Sequence, residues 1–248
     1  MKFCQGFRGR SYFFTRGEAF LLKTDTVSNI KKKLITLHEF SERIPSGATL
    51  LIGGFLGDGT PDLLIDEILK TDKGGFTVIA NDTAFPDQGI GKLISQKRVK
   101  KAIVSHIGTN PETQKQMIEG SLIVELIPQG TLAERIRAGG FGLGGILTPT
   151  GIGTIVENGK PKLHIDGKEY LVESAIKADF ALLKAKKADF YGNLTFAYTA
   201  RNFNTFMAFA ANCTIAEIDE LVPIGGLNPE EVVVPHAVVD CLIRGNRS

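Results

Sequence analysis

Ala48-Thr49-Leu50-Leu51-Ile52-Gly53-Gly54-Phe55-Leu56-Gly57-Asp58-Gly59-Thr60-Pro61-Asp62-Leu63-Leu64-Ile65-Asp66-Glu67-Ile68-Leu69 reads as strand, glycine loop and helix. The apolar run at 48–52 has the length and Leu/Ile content of a strand buried on both faces. Thr60 is the expected cap of the following helix, and Pro61 fits its first position, where no N–H is needed. Gly53, Gly54, Gly57 and Gly59 let the backbone turn through positive φ and let a ligand approach without Cβ clashes. Loop N–H groups and the positive end of the helix would then face that ligand and favour phosphate or carboxylate. On this stretch alone, a ligand loop and a plain structural turn both stay open. The Gly-Lys-Ser/Thr of a nucleotide P-loop is missing, and the spacing of Gly54, Gly57 and Gly59 is not the dinucleotide G-x-G-x-x-G.

Working outward, strands and helices alternate. Upstream, Thr36 is expected to cap an amphipathic helix over 37–44, and Pro45-Ser46-Gly47 turns it into the strand. Downstream come a strand at 76–80, a polar loop over 81–91 and a strand at 102–105. A helix opens at Asn110-Pro111-Glu112 and stops at Gly120. A buried strand follows at 122–127 and a helix at 131–137. Such alternation predicts an α/β fold: a three-layer open, largely parallel sheet with helices on both faces. The stretch Gly139–Gly145 is too glycine-rich for a regular element. Residues 163–172, centred on Asp166-Gly167, predict a small β-hairpin insertion. Phe180–Leu183 returns to a buried strand, and the alternation continues through 213–215 and 237–239.

The 248 residues are 43% hydrophobic and 23% charged, enough for one α/β domain with a sizeable core. A formal net charge of +2 gives no electrostatic footprint for nucleic acid or a membrane surface. Cys4, Cys213 and Cys241 form neither a disulfide framework nor a zinc pattern, which fits a reducing cytoplasm. The four histidines, His38, His106, His164 and His236, are far apart, and no metal site is expected. Residues 1–33 stand apart as an N-terminal extension expected to be disordered and dispensable. Met1 to Gly17 is basic, rich in phenylalanine and free of acids, a character shared with transit peptides. The main domain is expected over 34–248.

The wider run Ser46–Phe55, with Gly59 and Pro61, resembles the signature of the α subunit of family I coenzyme A transferases, the acetate/acetoacetate and 3-oxoacid type. Ser46 departs from the Asp or Asn usual there, but serine also turns the chain through its side chain. The stretch Pro128-Gln129-Gly130-Thr131-Leu132-Ala133-Glu134-Arg135-Ile136-Arg137-Ala138-Gly139-Gly140 resembles the same family. So do Asn81–Ala84, Ser105–Glu112, Thr148–Thr154 and Ala200–Asn204, so that the resemblance runs from about residue 34 to about 244.

That resemblance implies a transferase moving coenzyme A from an acyl-CoA to a short-chain carboxylate such as acetate, acetoacetate or another 3-oxoacid. A glutamyl-CoA thioester would form on a separate β subunit, in an α2β2 heterotetramer, with CoA as substrate and no permanent cofactor. It further implies that Gln129 hydrogen-bonds the thioester oxygen, and that Gly53, Gly54, Phe55, Leu56, Gly57, Asp58 and Gly59 contact CoA. Read without the family, Gln129 is a helix-capping or loop-bracing residue. His106 is a candidate for the acyl site or a histidine bonded in place, and Arg201 an anion ligand or half of an internal salt bridge. Val156-Glu157-Asn158-Gly159 imitates the family's nucleophile motif, Ser-Glu-Asn-Gly, without its serine, and reads as a turn. Two other functions stay open: a non-catalytic acyl-CoA-binding regulator, and a sugar-phosphate isomerase or deaminase on a similar fold.

Overall fold

The computed structural model describes residues 33–245. The extension expected over 1–33 therefore lies outside the described residues except for Lys33. That residue is bonded to the body: its carbonyl accepts the Leu242 N–H at 2.7 Å, and its Nζ donates to the His236 carbonyl at 2.6 Å.

The chain begins with helix α1 (Leu37–Arg43) and strand β1 (Thr49–Ile52). Then come α2 (Asp62–Leu69), β2 (Phe76–Ile79), α3 (Ile90–Ser95), β3 (Val99–Val104), α4 (Pro111–Ile118), β4 (Ile123–Leu126) and α5 (Gln129–Gly140). A small antiparallel sheet follows, from β5 (Gly145–Thr148), β6 (Lys162–Ile165) and β7 (Lys168–Ser174). The main sheet is completed by β8 (Ala178–Asp189), β9 (Leu194–Thr195), β10 (Ala211–Val222) and β11 (Cys241–Arg244), with the short helix α6 (Asn204–Met207) before β10.

In the main sheet the order is β11-β10-β8-β1-β2-β3-β4, with every neighbouring pair parallel. Only β9 runs antiparallel, beside β8. Central β1 shows why the sheet is layered. Leu50 and Ile52 pack with Phe40, Leu64, Ile65 and Leu93 of α1 to α3, while Leu51 packs with Leu132, Ile136 and Met207 of α5 and α6. Successive side chains point to opposite faces, so an unbroken apolar strand needs helices on both. The predicted three-layer α/β architecture is what the chain adopts. No helix among the described residues is long and apolar enough to cross a membrane.

Local chemistry explains several boundaries. Thr36 caps α1 as expected, within a capping box completed by Glu39, and Asn110 caps α4 by accepting the Thr113 N–H, with Pro111 next. Asp166 (φ +49) and Gly167 (φ +73) make the tight turn of the β6–β7 hairpin.

Some expectations are corrected. Thr60 does not cap α2; Pro61 stands at that position with no side-chain bond. Helix α3 falls partly in the stretch read as a polar loop, because it is only six residues long and no side chain caps it. Strand β4, read as buried, is the sheet's edge, with Ile123 and Leu126 more than half exposed. Residues 237–239 are not a strand: His236–Val238 forms a 3-10 turn leading into β11.

The glycine-rich stretch also behaves differently. Helix α5 continues through Gly139 and Gly140, and β5 begins at Gly145. A Cβ on Gly139 would overlap the Ile176 carbonyl oxygen, and one on Gly140 would lie 2.7 Å from Phe209 Cβ. These glycines let α5 press against the chain entering β8 at Ile176 and the chain entering β10 at Phe209, a tertiary demand that composition hides. Helix propensity alone favours Ala over Gly by about 1 kcal/mol. Overpacking costs about 1–3 kcal/mol, more where backbone is the obstacle. Gly139→Ala should therefore lower stability in urea unfolding, whereas Gly130→Ala, whose Cβ meets nothing within 4 Å, should be neutral or slightly stabilising.

Candidate active site

Parallel strands joined by helices deliver their carboxyl ends to one edge of the sheet, where open α/β folds bind ligands. Here that edge holds a cavity of about 350 Å3. The chain after β1 supplies Phe55 and Leu56, that after β2 Asn81 and Asp82, and that after β3 Ser105, His106 and Thr109; Gln129 opens α5 just beyond β4.

A continuous hydrogen-bond network joins Leu56, Asn81, Asp82, Ser105, Thr109 and Gln129, with Ala84 between. Gln129 Nε2 donates to Asn81 Oδ1 at 2.6 Å, and Asn81 Nδ2 donates to Asp82 Oδ2 at 2.6 Å. The same Asp82 oxygen accepts the Leu56 N–H at 2.9 Å, and Oδ1 accepts the Ala84 N–H at 2.7 Å. Ser105 Oγ donates to the Asn81 carbonyl at 2.7 Å, and Thr109 Oγ1 to that of Ala84 at 2.8 Å. Asn81 and Asp82 are buried, 1% and 4% exposed, while the cavity reaches solvent at Gln129 and His106. Leu56 and Ala84, the two residues whose N–H groups Asp82 accepts, both hold positive φ (+49° and +50°). Non-glycine residues adopt that conformation only when their surroundings impose it.

Glycine-loop residues divide among three tasks. Phe55 and Asp58 exchange two backbone hydrogen bonds of 2.9 Å around Leu56 and Gly57, which makes a compact turn. Phe55 and Leu56 face the cavity. Asp58 and Gly59 face a second cleft of about 190 Å3 with Lys184 and Tyr198. Gly53 and Gly54 face neither: a Cβ there would overlap the side chains of Asn204 and Thr60. On Gly59 a Cβ would lie 2.9 Å from Ala200 Cα. Gly57 alone has only the tip of Gln88, at 3.3 Å, and its φ of +94° strains any side chain regardless of a ligand.

The expected anion position at the start of α2 is already filled. The Leu63 N–H donates to Glu217 Oε2 at 2.9 Å, and Lys184 Nζ donates to Glu217 Oε1 at 2.8 Å and to Asp219 at 2.6 Å. Glu217, 5% exposed, is the carboxylate that this helix end binds. The loop does not present a free helix terminus to phosphate, contrary to the expectation from strand, glycines and helix. A sugar-phosphate reading loses its phosphate loop with it.

Of the remaining candidates, His106 lines the cavity and its side chain makes no hydrogen bond among the described residues. A Cβ on Gly108 would lie 2.7 Å from the imidazole Cε1, so glycine there makes room for the ring. Arg201 is exposed, makes no ion pair among the described residues and is not part of the cavity lining. Glu157, the lookalike of the nucleophile, ends a 3-10 turn and starts an Asn158-Gly159 turn closed by the Lys160 N–H. The Gly153 N–H at 2.7 Å and Lys162 at 3.0 Å hold its carboxyl below the usual carboxylate range. No group of three or more His, Cys, Asp or Glu among the described residues could hold a metal.

Sequence reading gave no role to Asp82 or Glu217. Both left a signal: an acid two residues past the apolar run 76–80, and an acid within the apolar run Thr214–Ile218.

A family model described as coenzyme A transferase matches residues 36–245. The chain belongs to the coenzyme A transferase family. It is 52% identical over 219 residues to the acetate CoA-transferase subunit alpha of Escherichia coli K12, covering 88% of this chain and 100% of that one. It is 46% identical over 215 residues to the acetoacetyl-CoA:acetate/butyrate CoA transferase alpha subunit of Clostridium acetobutylicum, covering 87% and 99%. Among solved structures, the apoenzyme of the acyl-CoA transferase YdiF from E. coli O157:H7 superposes with a TM-score of 0.74 at 25% identity. That match covers 86% of this chain and 46% of YdiF, so the chain spans about half of that transferase.

Removing Glu217 would leave Lys184 with Asp219 alone and the Leu63 N–H without its acceptor. Breaking a buried pair costs about 3–5 kcal/mol when one charge is stranded. With Asp219 still present, Glu217→Ala should cost about 2–3 kcal/mol in urea unfolding. Glu217→Gln, which can still accept the Leu63 N–H, should cost less.

Proposed function

We propose that this chain is the α subunit of a CoA transferase that passes coenzyme A from an acyl-CoA to a short-chain carboxylate. Its β subunit would carry the glutamate on which a glutamyl-CoA thioester forms. The observation that carries this reading is the Gln129 amide, held by Asn81 at the open side of a cavity at the carboxyl edge of a parallel sheet. The names of its relatives, both alpha subunits of CoA transferases acting on small acids, support the substrate class and the separate partner. An α2β2 assembly is the stoichiometry we infer.

Nucleophilic attack on a thioester moves negative charge onto its carbonyl oxygen. Gln129 donates one Nε2 hydrogen to Asn81 and keeps a second for that oxygen, a neutral donor with no proton to lose. A cavity of about 350 Å3 suits the acyl-thioester end of the substrate, between Phe55 and Leu56 on one wall and His106 on another. The rest of CoA would extend outside it, past the turn at Leu56 and Gly57. Gly53 and Gly54 serve that turn by packing, and Asp58 and Gly59 would meet CoA from the second cleft. The folded transferase domain is inferred over 34–248, with the segment before it dispensable for turnover.

Without a β subunit the purified chain should show no transferase turnover, and adding the β chain should restore it. Robust activity with no β chain detectable by mass spectrometry would refute the division of labour. Restoration by the β chain separates this reading from a chain that only binds acyl-CoA, which stays inactive in both preparations.

A hydrogen bond that strengthens in the transition state lowers kcat more than it raises KM when lost. Gln129→Ala in the assembled complex should cut kcat by about 10²–10³-fold with melting temperature and assembly unchanged. Gln129→Glu should be at least as damaging, since a carboxylate would face the developing charge. Near-normal kcat with a lowered melting temperature in Gln129→Ala would make this residue a loop brace.

A further inference from the structure

We propose that Asp82 is the positioning residue that sets which end of the Gln129 amide faces the substrate, acting through Asn81. The proposal rests on the reading of Gln129 as an oxyanion donor. A glutamine at an open cavity edge can turn its amide over at little cost, because oxygen and NH2 have nearly the same shape. One orientation offers a donor to the thioester oxygen and the other offers an acceptor, which repels it. Something must choose, and the network leads back to Asp82.

The choice follows from groups that cannot reverse. A backbone N–H can only donate. The Ala84 N–H meets Asp82 Oδ1 at 2.7 Å and the Leu56 N–H meets Oδ2 at 2.9 Å, so both carboxyl oxygens are held as acceptors. The Asn81 atom 2.6 Å from Oδ2 must then be its NH2. That turns Asn81 Oδ1 toward Gln129, whose atom at 2.6 Å must in turn be Nε2. Two backbone N–H groups thus fix the polarity of two side-chain amides in sequence, and the last keeps a hydrogen for the ligand. Burial of Asn81 (1% exposed) and Asp82 (4%) keeps water from substituting for either link. The Ser105 hydroxyl, 3.4 Å from Asn81 Oδ1, is too far and too occupied with the Asn81 carbonyl, at 2.7 Å, to set the amide itself.

An aspartate serves here better than an asparagine of the same shape. In Asp82→Asn an NH2 replaces one of the two acceptors. Placed at Oδ1, it would oppose the Ala84 N–H alone and leave the relay as it stands; placed at Oδ2, it would oppose both the Leu56 N–H and the Asn81 NH2, and Asn81 would turn over. Gln129 would then bring Oε1 to the place where Nε2 stands.

The test is a double-mutant cycle on the assembled α–β complex, reading kcat, KM and melting temperature. Asp82→Asn should lower kcat by about 10–10²-fold with a much smaller change in KM. In the Gln129→Ala background the same substitution should change kcat less than about twofold, because the group it orients is gone. An equal loss in both backgrounds would overturn the proposal and place the effect of Asp82 in the Leu56 turn. If Asp82→Asn does not assemble, or keeps kcat by turning its NH2 toward Ala84, Asn81→Ala decides. It cuts the link to Gln129 and leaves both backbone bonds of Asp82 intact, so it should reproduce the kcat loss, and again not in Gln129→Ala. Normal kcat in Asn81→Ala overturns the proposal. Failure of the underlying reading looks different: Gln129→Ala itself would turn over at the normal rate.

Discussion

Burial of β1 on both faces is the constraint from which the molecule follows. Leu50, Leu51 and Ile52 have no exposed surface, and their backbone is bonded to β2 on one side and β8 on the other. A strand so placed has no solvent face, so its neighbours need crossover helices, and those helices cover both sides of the sheet. Parallel pairing then puts the ends of β1, β2, β3 and β4 along one edge. The candidate site owes its existence to that geometry before any of its side chains is considered.

At that edge the backbone can no longer satisfy itself within the sheet, and short polar side chains take over. Asp82 is bonded to two backbone N–H groups and one amide, Ser105 and Thr109 to carbonyls, and Asn110 to the carbonyl of Thr83 at 2.8 Å while capping α4. A buried network with this many paired groups in a low-dielectric setting is stiff. It holds Leu56 and Ala84 in conformations that isolated residues avoid, and it leaves donor capacity at Gln129, where the cavity opens.

Two features of this chain show how a local pattern can mislead. Strand, glycine loop and helix are the ingredients of a phosphate site, yet the helix end is satisfied by Glu217, which comes from β10, more than 150 residues away in the chain. Glu157-Asn158-Gly159 has the letters of a nucleophile motif, yet the carboxylate braces its own turn through the Gly153 N–H and Lys162. In both cases the deciding partner is a charge or backbone group that the motif itself does not contain.

By itself the sequence determined what depends on short-range chemistry and periodicity. The buried run at 48–52, the Thr36 helix cap, the Asn110-Pro111 helix start, the Asp166-Gly167 turn and the alternation of elements were all legible. Each rests on a residue and neighbours within a few positions. Gln129 was legible only through family resemblance, since a glutamine at a helix start has several ordinary uses. Tertiary structure alone decided that β4 is an edge, that Gly139 sits inside a helix, that Glu217 fills the α2 terminus and that Asp82 anchors the Asn81–Gln129 relay. Those outcomes depend on contacts between segments far apart in the chain: Ile176 against Gly139, Glu217 against Leu63, Asn81 against Gln129. Separation in sequence carries no record of which distant groups meet, so burial and hydrogen-bond pairing at these positions appear only once the chain has folded.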